Sequence, residues 1–161
     1  MGNYVFLDTA QEFQLEIVSK FLTKTGAKLS YINTAVPENF HGDLHKCEEW
    51  IKSLKTSYPD LIHDSLDYFL YPENYTAFIS SPWVLTEQDL LDSKHIESMS
   101  MRLMDRSALI PTSAFSRRRL YLLLLNYFSF IIESKKIEGV VVFDTPHSFF
   151  SHVMYELCKL K

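Results

Sequence analysis

The chain has 161 residues, of which 47% are hydrophobic, 14% aromatic and 22% charged, with a formal net charge of −4. This length suffices for one domain with a substantial core, and the composition is that of a globular protein rather than a disordered one. The negative net charge gives no general attraction to nucleic acid, so we expect no nucleic-acid partner.

The cysteines and the longest apolar stretch bear on the cellular compartment. Cys47 and Cys158 are too few for a disulfide framework, which favours reduced thiols and a cytoplasmic location. No secretory signal is predicted, because strand-like residues 3–7 stand almost at the start of the chain. The longest apolar stretch, 120–132, is shorter than the roughly 20 residues that cross a bilayer. It predicts a buried helix.

The first part of the chain predicts a βαβ unit. Strand-like residues 3–7 precede a helical pattern at 10–24, and a second strand is predicted at 28–36. Because one helix separates the two strands, we expect a right-handed crossover and parallel pairing. Gly26 suits the C-terminal cap of the helix. The predicted buried stripe of this helix consists of Phe13, Ile17 and Phe21, widened by Leu15, Val18 and Leu22.

The rest of the chain predicts further helices and one more clear strand. The helices lie at 44–55, at 85–106, at about 113–136 and after the last strand. Apolar residues 139–143 are typical of a strand buried on both faces of a parallel sheet. Residues 59–75 fit short helices or a loop, and 75–82 form a weak strand candidate. The predicted fold class is α/β, with an open, mainly parallel Rossmann-like sheet and flanking helices.

The domain organisation follows from the strand count and from the end of the chain. Only three strands are clearly predicted, and the periodic pattern of the final helix continues to the last residues. We therefore expect residues 1–161 to form a single Rossmann-like domain, the incomplete N-terminal part of a longer two-domain protein. The alternative is a small complete domain with a docked terminal helix.

Two matching stretches predict the site. Residues 5–13 and 141–149 each contain an apolar strand, then Asp-Thr, then the start of a helix. Open α/β sheets bind ligands outside the carboxyl ends of their strands, where side-chain oxygens and free helix N–H groups can receive an anion or a sugar hydroxyl. The predicted substrate-binding residues are therefore Asp8, Thr9, Asp144 and Thr145. The alternative role of these residues is helix capping without a ligand.

His147 is the predicted catalytic residue. It follows Pro146, which fits the first turn of a helix. The positive end of the helix dipole disfavours imidazolium there, and a neutral imidazole facing a crevice can accept a proton from a substrate hydroxyl. The alternative is a histidine whose ring bonds a neighbouring backbone carbonyl.

Arginines form a second group of candidates. Residues 117–119 are three successive arginines in the first turns of a helix, where they oppose the helix dipole. Arginine side chains beside free N–H groups can hold a diphosphate or an acidic sugar, so Arg117 and Arg106 are further substrate-binding candidates. The alternative for residues 117–119 is a solvated face or pairing with acidic loops, and for Arg106 it is pairing within or between helices.

Metal and nucleotide sites have little support in the sequence. His41, His45 and Cys47 could supply zinc ligands, but no paired Cys or His motif completes the set, so no metal is expected. The glycine motifs of dinucleotide-binding and P-loop proteins do not occur. Cys47 and Cys158 both fall on apolar stripes, which is typical of core residues.

Short motifs between residues 100 and 161 resemble the N-terminal regions of bacterial capsular and surface polysaccharide biosynthesis proteins. These motifs are Met104-Asp105-Arg106, Pro146-His147 and Tyr155-Glu156-Leu157-Cys158-Lys159, in which Cys158 stands where the family has a small Ala. The resemblance implies a glycosyltransferase with two Rossmann-like domains facing a cleft. This chain would be the acceptor-side N-terminal domain, in which His147 binds or deprotonates an acceptor hydroxyl.

The resemblance also implies partners. They are a saccharide acceptor, a C-terminal domain beyond this chain, and a membrane with which the pathway associates peripherally. No cofactor is implied for this chain itself, and a nucleotide-sugar donor is expected only with the second domain, so the chain alone would be inactive. One alternative is a non-catalytic glycan- or protein-binding module of the same pathway. Another is a stand-alone nucleotide-binding protein.

Overall fold

The computed structural model describes residues 2–9, 11–34, 42–65, 85–106, 113–143 and 148–161. The chain divides into two compact units. The first unit comprises Met1–Asp67 and Lys135–Thr145, and the second comprises Tyr68–Ser134 and Pro146–Lys161.

The first unit is built on a parallel sheet of four strands. They are β1 (Asn3–Thr9), β2 (Lys28–Thr34), β3 (Ile62–Ser65) and β4 (Ile137–Val142), in the order β3-β2-β1-β4. Every pairing is parallel, which confirms the α/β class with an open Rossmann-like sheet. The sequence analysis does not predict β3, because this strand has only four residues and Ile62 is the only apolar one.

Two helices of the first unit pack on the sheet, α1 (Glu12–Thr25) and α2 (Leu44–Ser57). The predicted inner stripe of α1 is partly wrong, since Phe13 is 54% exposed and Ile17 is 44% exposed. The buried face instead consists of Leu15, Val18 and Leu22, next to Gln14. Apolar residues occupy more than one face of this helix, so packing against the sheet decides which face is buried and periodicity alone does not.

The ends of α1 follow from local chemistry. Gly26 adopts a left-handed conformation with φ of 64°, and its N–H donates to the Leu22 carbonyl, as the sequence predicts. At the other end the N-cap residue is Gln11, whose N–H donates to Gln14 Oε1 at 2.9 Å. The capping role considered for Asp8 and Thr9 is therefore wrong.

The edge strand β4 is less enclosed than its sequence predicts. Residues 139–143 are half-buried rather than buried on both faces, because β4 is the last strand of the described sheet and pairs only with β1. Gly139 is the register partner of Tyr4, and a Cβ at Gly139 would lie 2.5 Å from Tyr4 Cε1. Any larger residue at this position therefore requires the tyrosine ring to move.

The second unit is helical in its described part. Its helices are α3 (Glu87–Asp92), α4 (Lys94–Asp105), α5 (Ala114–Lys135) and α6 (Phe149–Leu160). The last residue of α5, Lys135, is counted with the first unit. The single helix predicted at 85–106 is thus two helices that meet at Ser93. The hydroxyl of Tyr121 donates to the Ser93 carbonyl at 3.0 Å, which fixes α5 to this break.

The apolar stretch at 120–132 forms the buried centre of α5, as predicted. Its buried residues are Leu120, Tyr121, Leu124, Leu125, Asn126, Tyr127, Phe128, Ser129, Ile131 and Ile132. Within the described segments, no helix combines the length and the apolarity that crossing a bilayer requires.

The corrected orientation of α1 gives the first prediction. Leu15→Ala should lower the free energy of unfolding by about 2–5 kcal/mol, because it leaves a cavity in the core. Phe13→Ala, on the exposed side of the same helix, should change it by less than about 1 kcal/mol. Urea unfolding of the two variants and the parent measures both effects, and a larger loss for Phe13→Ala would contradict the packing.

Candidate functional site

Three neighbouring strands of the sheet, β1, β2 and β3, end in the same residue pattern. Each ends with Asp or Asn followed by Thr or Ser, in the pairs Asp8-Thr9, Asn33-Thr34 and Asp64-Ser65. Asn33 is the register partner of Asp64. Thr34 is the partner of Ser65 on one side and of Thr9 on the other. Parallel pairing therefore gathers a row of polar residues at the carboxyl edge of the sheet.

These residues and a neighbouring histidine form what we call the strand-end cluster. It consists of Asp8, Thr9, Asn33, Thr34, His63 and Asp64. Four of its members are buried, namely Thr9, Asn33, Thr34 and Asp64. Burial of polar groups is unfavourable unless they are hydrogen-bonded, so a buried polar row at this edge needs partners.

The backbone at Asp8 has a left-handed conformation. Its φ is 58°, and the register of β1 against β2 is irregular between Phe6 and Thr9. The left-handed region costs a side-chain-bearing residue about 1–2 kcal/mol, although Asp tolerates it better than most. The Asp8 N–H donates to Asn33 Oδ1 at 2.7 Å, which stabilises this conformation. Strained backbone of this kind is concentrated at functional sites.

Thr9 carries a polar group that the described protein does not satisfy. The residue has no exposed surface, and its Oγ1 has no hydrogen-bond partner among the described residues. A buried unsatisfied hydroxyl costs roughly 1–3 kcal/mol. A ligand that hydrogen-bonds to this hydroxyl would remove that cost.

His63 is a site residue that the sequence analysis missed. Its Nε2 lies 3.0 Å from Thr34 Oγ1. Burial, assisted by the positive charge of Lys55, lowers the pKa of His63 to about 4, so the ring is neutral near pH 7. One signal in the sequence could have indicated this site. Asp64-Ser65 repeats the acidic-then-hydroxyl ending of Asp8-Thr9, but no apolar run precedes His63 to mark a strand.

The predicted site residues have different outcomes. Asp8 and Thr9 lie at the carboxyl end of β1, as predicted, and the structure brings them together with β2 and β3. The predicted residues after β4, Asp144, Thr145 and His147, lie outside the described residues, as does the weak strand candidate at 75–82.

Two of the arginines form ion pairs, but their partners lie on a helix rather than in the acidic loops of the alternative interpretation. Arg117 Nη1 lies 2.8 Å from Asp105 Oδ1, and Arg118 Nε lies 2.9 Å from Glu97 Oε1. Both pairs link the start of α5 to α4. Arg106 is exposed at the C-terminal end of α4. The binding roles of Arg106 and Arg117 stay predictions.

Cys47 is a core residue and Cys158 is partly buried, and neither environment activates a thiol as a nucleophile. Burial raises the pKa of the Cys47 thiol and, more strongly, that of Cys158, to about 12. Cys47 belongs to the core between the sheet and its helices. His41 lies outside the described residues, and within them no group of three or more His, Cys, Asp or Glu side chains could hold a metal ion.

Comparisons with models of protein families, with curated proteins and with solved structures found no match to this chain. The class of protein therefore follows from the fold itself. It is an α/β protein with an all-parallel Rossmann-like sheet in its first unit. The polar row at the carboxyl edge lies where such sheets bind ligands.

The low pKa of His63 gives a prediction about acid stability. Between pH 6.5 and about 4 the unfolded chain binds a proton at His63 that the folded chain does not bind, so stability falls as the pH is lowered through this range. The loss amounts to at most about 3 kcal/mol. His63→Gln should remove this part of the acid loss, as measured by urea unfolding at several pH values.

The matched control is His45→Gln, which replaces an exposed histidine on α2 and should retain the acid sensitivity of the parent. An unchanged dependence of stability on pH in His63→Gln would contradict the burial of a neutral ring.

Proposed function

We propose that the chain is the acceptor-side, saccharide-binding part of a glycosyltransferase-like protein of surface or capsular polysaccharide biosynthesis. The observation that supports binding is the strand-end cluster, in which parallel strands gather buried polar side chains at one sheet edge. The resemblance of the sequence to surface polysaccharide proteins supplies the pathway and the reaction.

The chemistry of the cluster favours a ligand rich in hydroxyl groups. Asp8, Asn33 and Asp64 offer carboxyl and amide oxygens that accept hydrogen bonds from hydroxyls. The hydroxyls of Thr9 and Thr34 can both donate and accept. Since the cluster contains two acidic residues and neither lysine nor arginine, an uncharged sugar suits it better than a phosphate.

Transfer of a sugar requires a base for the acceptor hydroxyl. The acceptor oxygen attacks the anomeric carbon of the donor sugar, the bond to the leaving group breaks, and the hydroxyl proton passes to the base. A base works best when its pKa lies near the working pH, so His63, at about 4, suits hydrogen bonding rather than proton abstraction. We assign the base to His147, as the resemblance implies.

The donor requires residues beyond this cluster. In the proposed arrangement a second Rossmann-like domain holds the nucleotide-sugar, and its cleft with this chain brings donor and acceptor together. The chain contributes acceptor recognition and the base, and the pathway places the enzyme at the membrane.

A second candidate function is a non-catalytic glycan-binding module of the same pathway. The strand-end cluster supports it equally, because hydrogen bonds from the cluster, including the neutral His63 ring, can hold a sugar without the removal of a proton. The two functions differ in the role of His147 and share the strand-end cluster.

Saccharide binding is tested by thermal unfolding with a panel of monosaccharides and oligosaccharides, with inorganic phosphate and nucleotides as comparison ligands. A ligand that binds the native state alone, at 100 times its dissociation constant, stabilises it by about 2.7 kcal/mol. We expect a saccharide to raise the Tm and phosphate to leave it unchanged. Thr9→Val should abolish the rise while stabilising the unliganded protein by about 1 kcal/mol, because an unsatisfied buried hydroxyl is removed.

Ser100→Ala is the matched control for this experiment. It also removes a fully buried hydroxyl without a partner among the described residues, but from α4 in the second unit. This variant should keep the saccharide-induced rise in Tm. Stabilisation by phosphate or nucleotides with no response to any saccharide would contradict the proposed ligand class.

The catalytic role is tested by His147→Ala in the protein that contains the donor-binding domain. Transfer of sugar to the acceptor should fall by about 100-fold or more, as expected when a general base is removed, while acceptor binding persists. Full transfer by this variant would rule out His147 as the base. Binding without any transfer by the parent would favour the non-catalytic module.

A further inference from the structure

A groove in the second unit lies along one face of α5. Its volume is about 400 Å³, and its lining residues are Phe115, Arg118, Arg119, Leu122 and Leu123. They are spaced three and four residues apart, which places them on one side of a helix. We call this surface the α5 groove.

The α5 groove includes one strongly exposed aromatic side chain and two partly exposed leucines. The side chain of Phe115 is 81% exposed, and Leu122 and Leu123 are only half-buried. Its volume lies within the range of roughly 300–1,000 Å³ that is typical of ligand pockets. Phe115 is the most exposed of the large hydrophobic residues that the structure describes, which makes this face the candidate surface.

The charge in the groove is positive and incompletely balanced. Arg118 is paired with Glu97. Arg119 forms no ion pair with any residue that the structure describes, although the chain as a whole has a net charge of −4. The guanidinium of Arg119 is therefore available to a carboxylate of a partner, where it can donate two parallel hydrogen bonds.

The order of residues along the groove indicates the shape of that partner. The apolar Phe115 precedes the two arginines, and the two leucines follow them, over eight helical steps or about 12 Å. A helical peptide with an apolar residue, an acidic residue and another apolar residue on one face has the complementary order. A membrane surface fits less well, because membrane-binding helices separate their basic face from their apolar face.

We propose that the α5 groove binds an acidic amphipathic helix of a partner protein. The apolar side chains of that helix contact Phe115 and the two leucines, and a Glu or Asp between them pairs with Arg119. This site is independent of the strand-end cluster, because all its residues belong to the second unit.

The probe is a phage-displayed library of 12-residue peptides, selected on the full chain and counter-selected on the Arg119→Glu variant. We expect peptides with acidic residues between apolar ones at helical spacing. Fluorescence anisotropy with a labelled selected peptide then measures affinity. Arg119→Glu should weaken binding by about tenfold or more, and a Glu→Lys change in the peptide should restore binding to this variant. Leu122→Ser should also weaken binding.

Arg102→Glu is the matched control, since it reverses the charge of an exposed arginine on α4. Its affinity for the peptide should stay within about twofold of the parent. Circular dichroism checks that each variant is folded. Selection without acidic peptides, or equal weakening by Arg102→Glu and Arg119→Glu, overturns the proposal.

Two further measurements distinguish a partner helix from other possible occupants of the α5 groove. Co-sedimentation with anionic phosphatidylserine vesicles that Arg119→Glu abolishes would assign the groove to a membrane instead. Concentration-dependent dimerisation that Phe115→Ser abolishes would assign it to a second copy of the chain. Either result overturns the assignment to a partner helix.

Discussion

The arrangement of the first unit depends on the parallel pairing of β1 with β2 on one side and with β4 on the other. Because all described strands run in the same direction, their carboxyl ends all lie at the same edge of the sheet. Three strands that end in Asx followed by Thr or Ser then produce one continuous polar row. The pairing of β1 with β4 also places Gly139 beside the Tyr4 ring, which leaves no room for a larger residue unless the ring moves.

The sequence was sufficient to predict the elements with strong periodicity or a clear terminator. The buried centre of α5 and the C-terminal cap at Gly26 are where their patterns placed them. The face of α1 was predictable only in part, because Phe13 and Leu15 are both apolar and the sheet decides which is buried. The strand β3 was missed because four residues carry too little periodicity, and its place at the edge of the sheet follows from pairing with β2.

The candidate site shows a similar division. A local pattern was enough to select Asp8 and Thr9, since Asp-Thr directly follows an apolar strand. His63 could not be selected in this way, because its low pKa is a consequence of burial beside Thr34 and of the charge on Lys55. The hydrogen bond between Asp8 and Asn33 joins residues 25 positions apart, and only the folded sheet reveals it. Burial and long-range pairing are properties of the fold that no short window of sequence contains.

The raised pKa values of the two thiols have a practical consequence for site-specific labelling. Thiolates, rather than thiols, react with maleimides, so Cys47 and Cys158 are slow to react near neutral pH. A cysteine introduced at an exposed position would therefore be labelled selectively in the otherwise native sequence. A single dye attached in this way to α2 would report a change in its own surroundings when a ligand is added, without removal of either native cysteine.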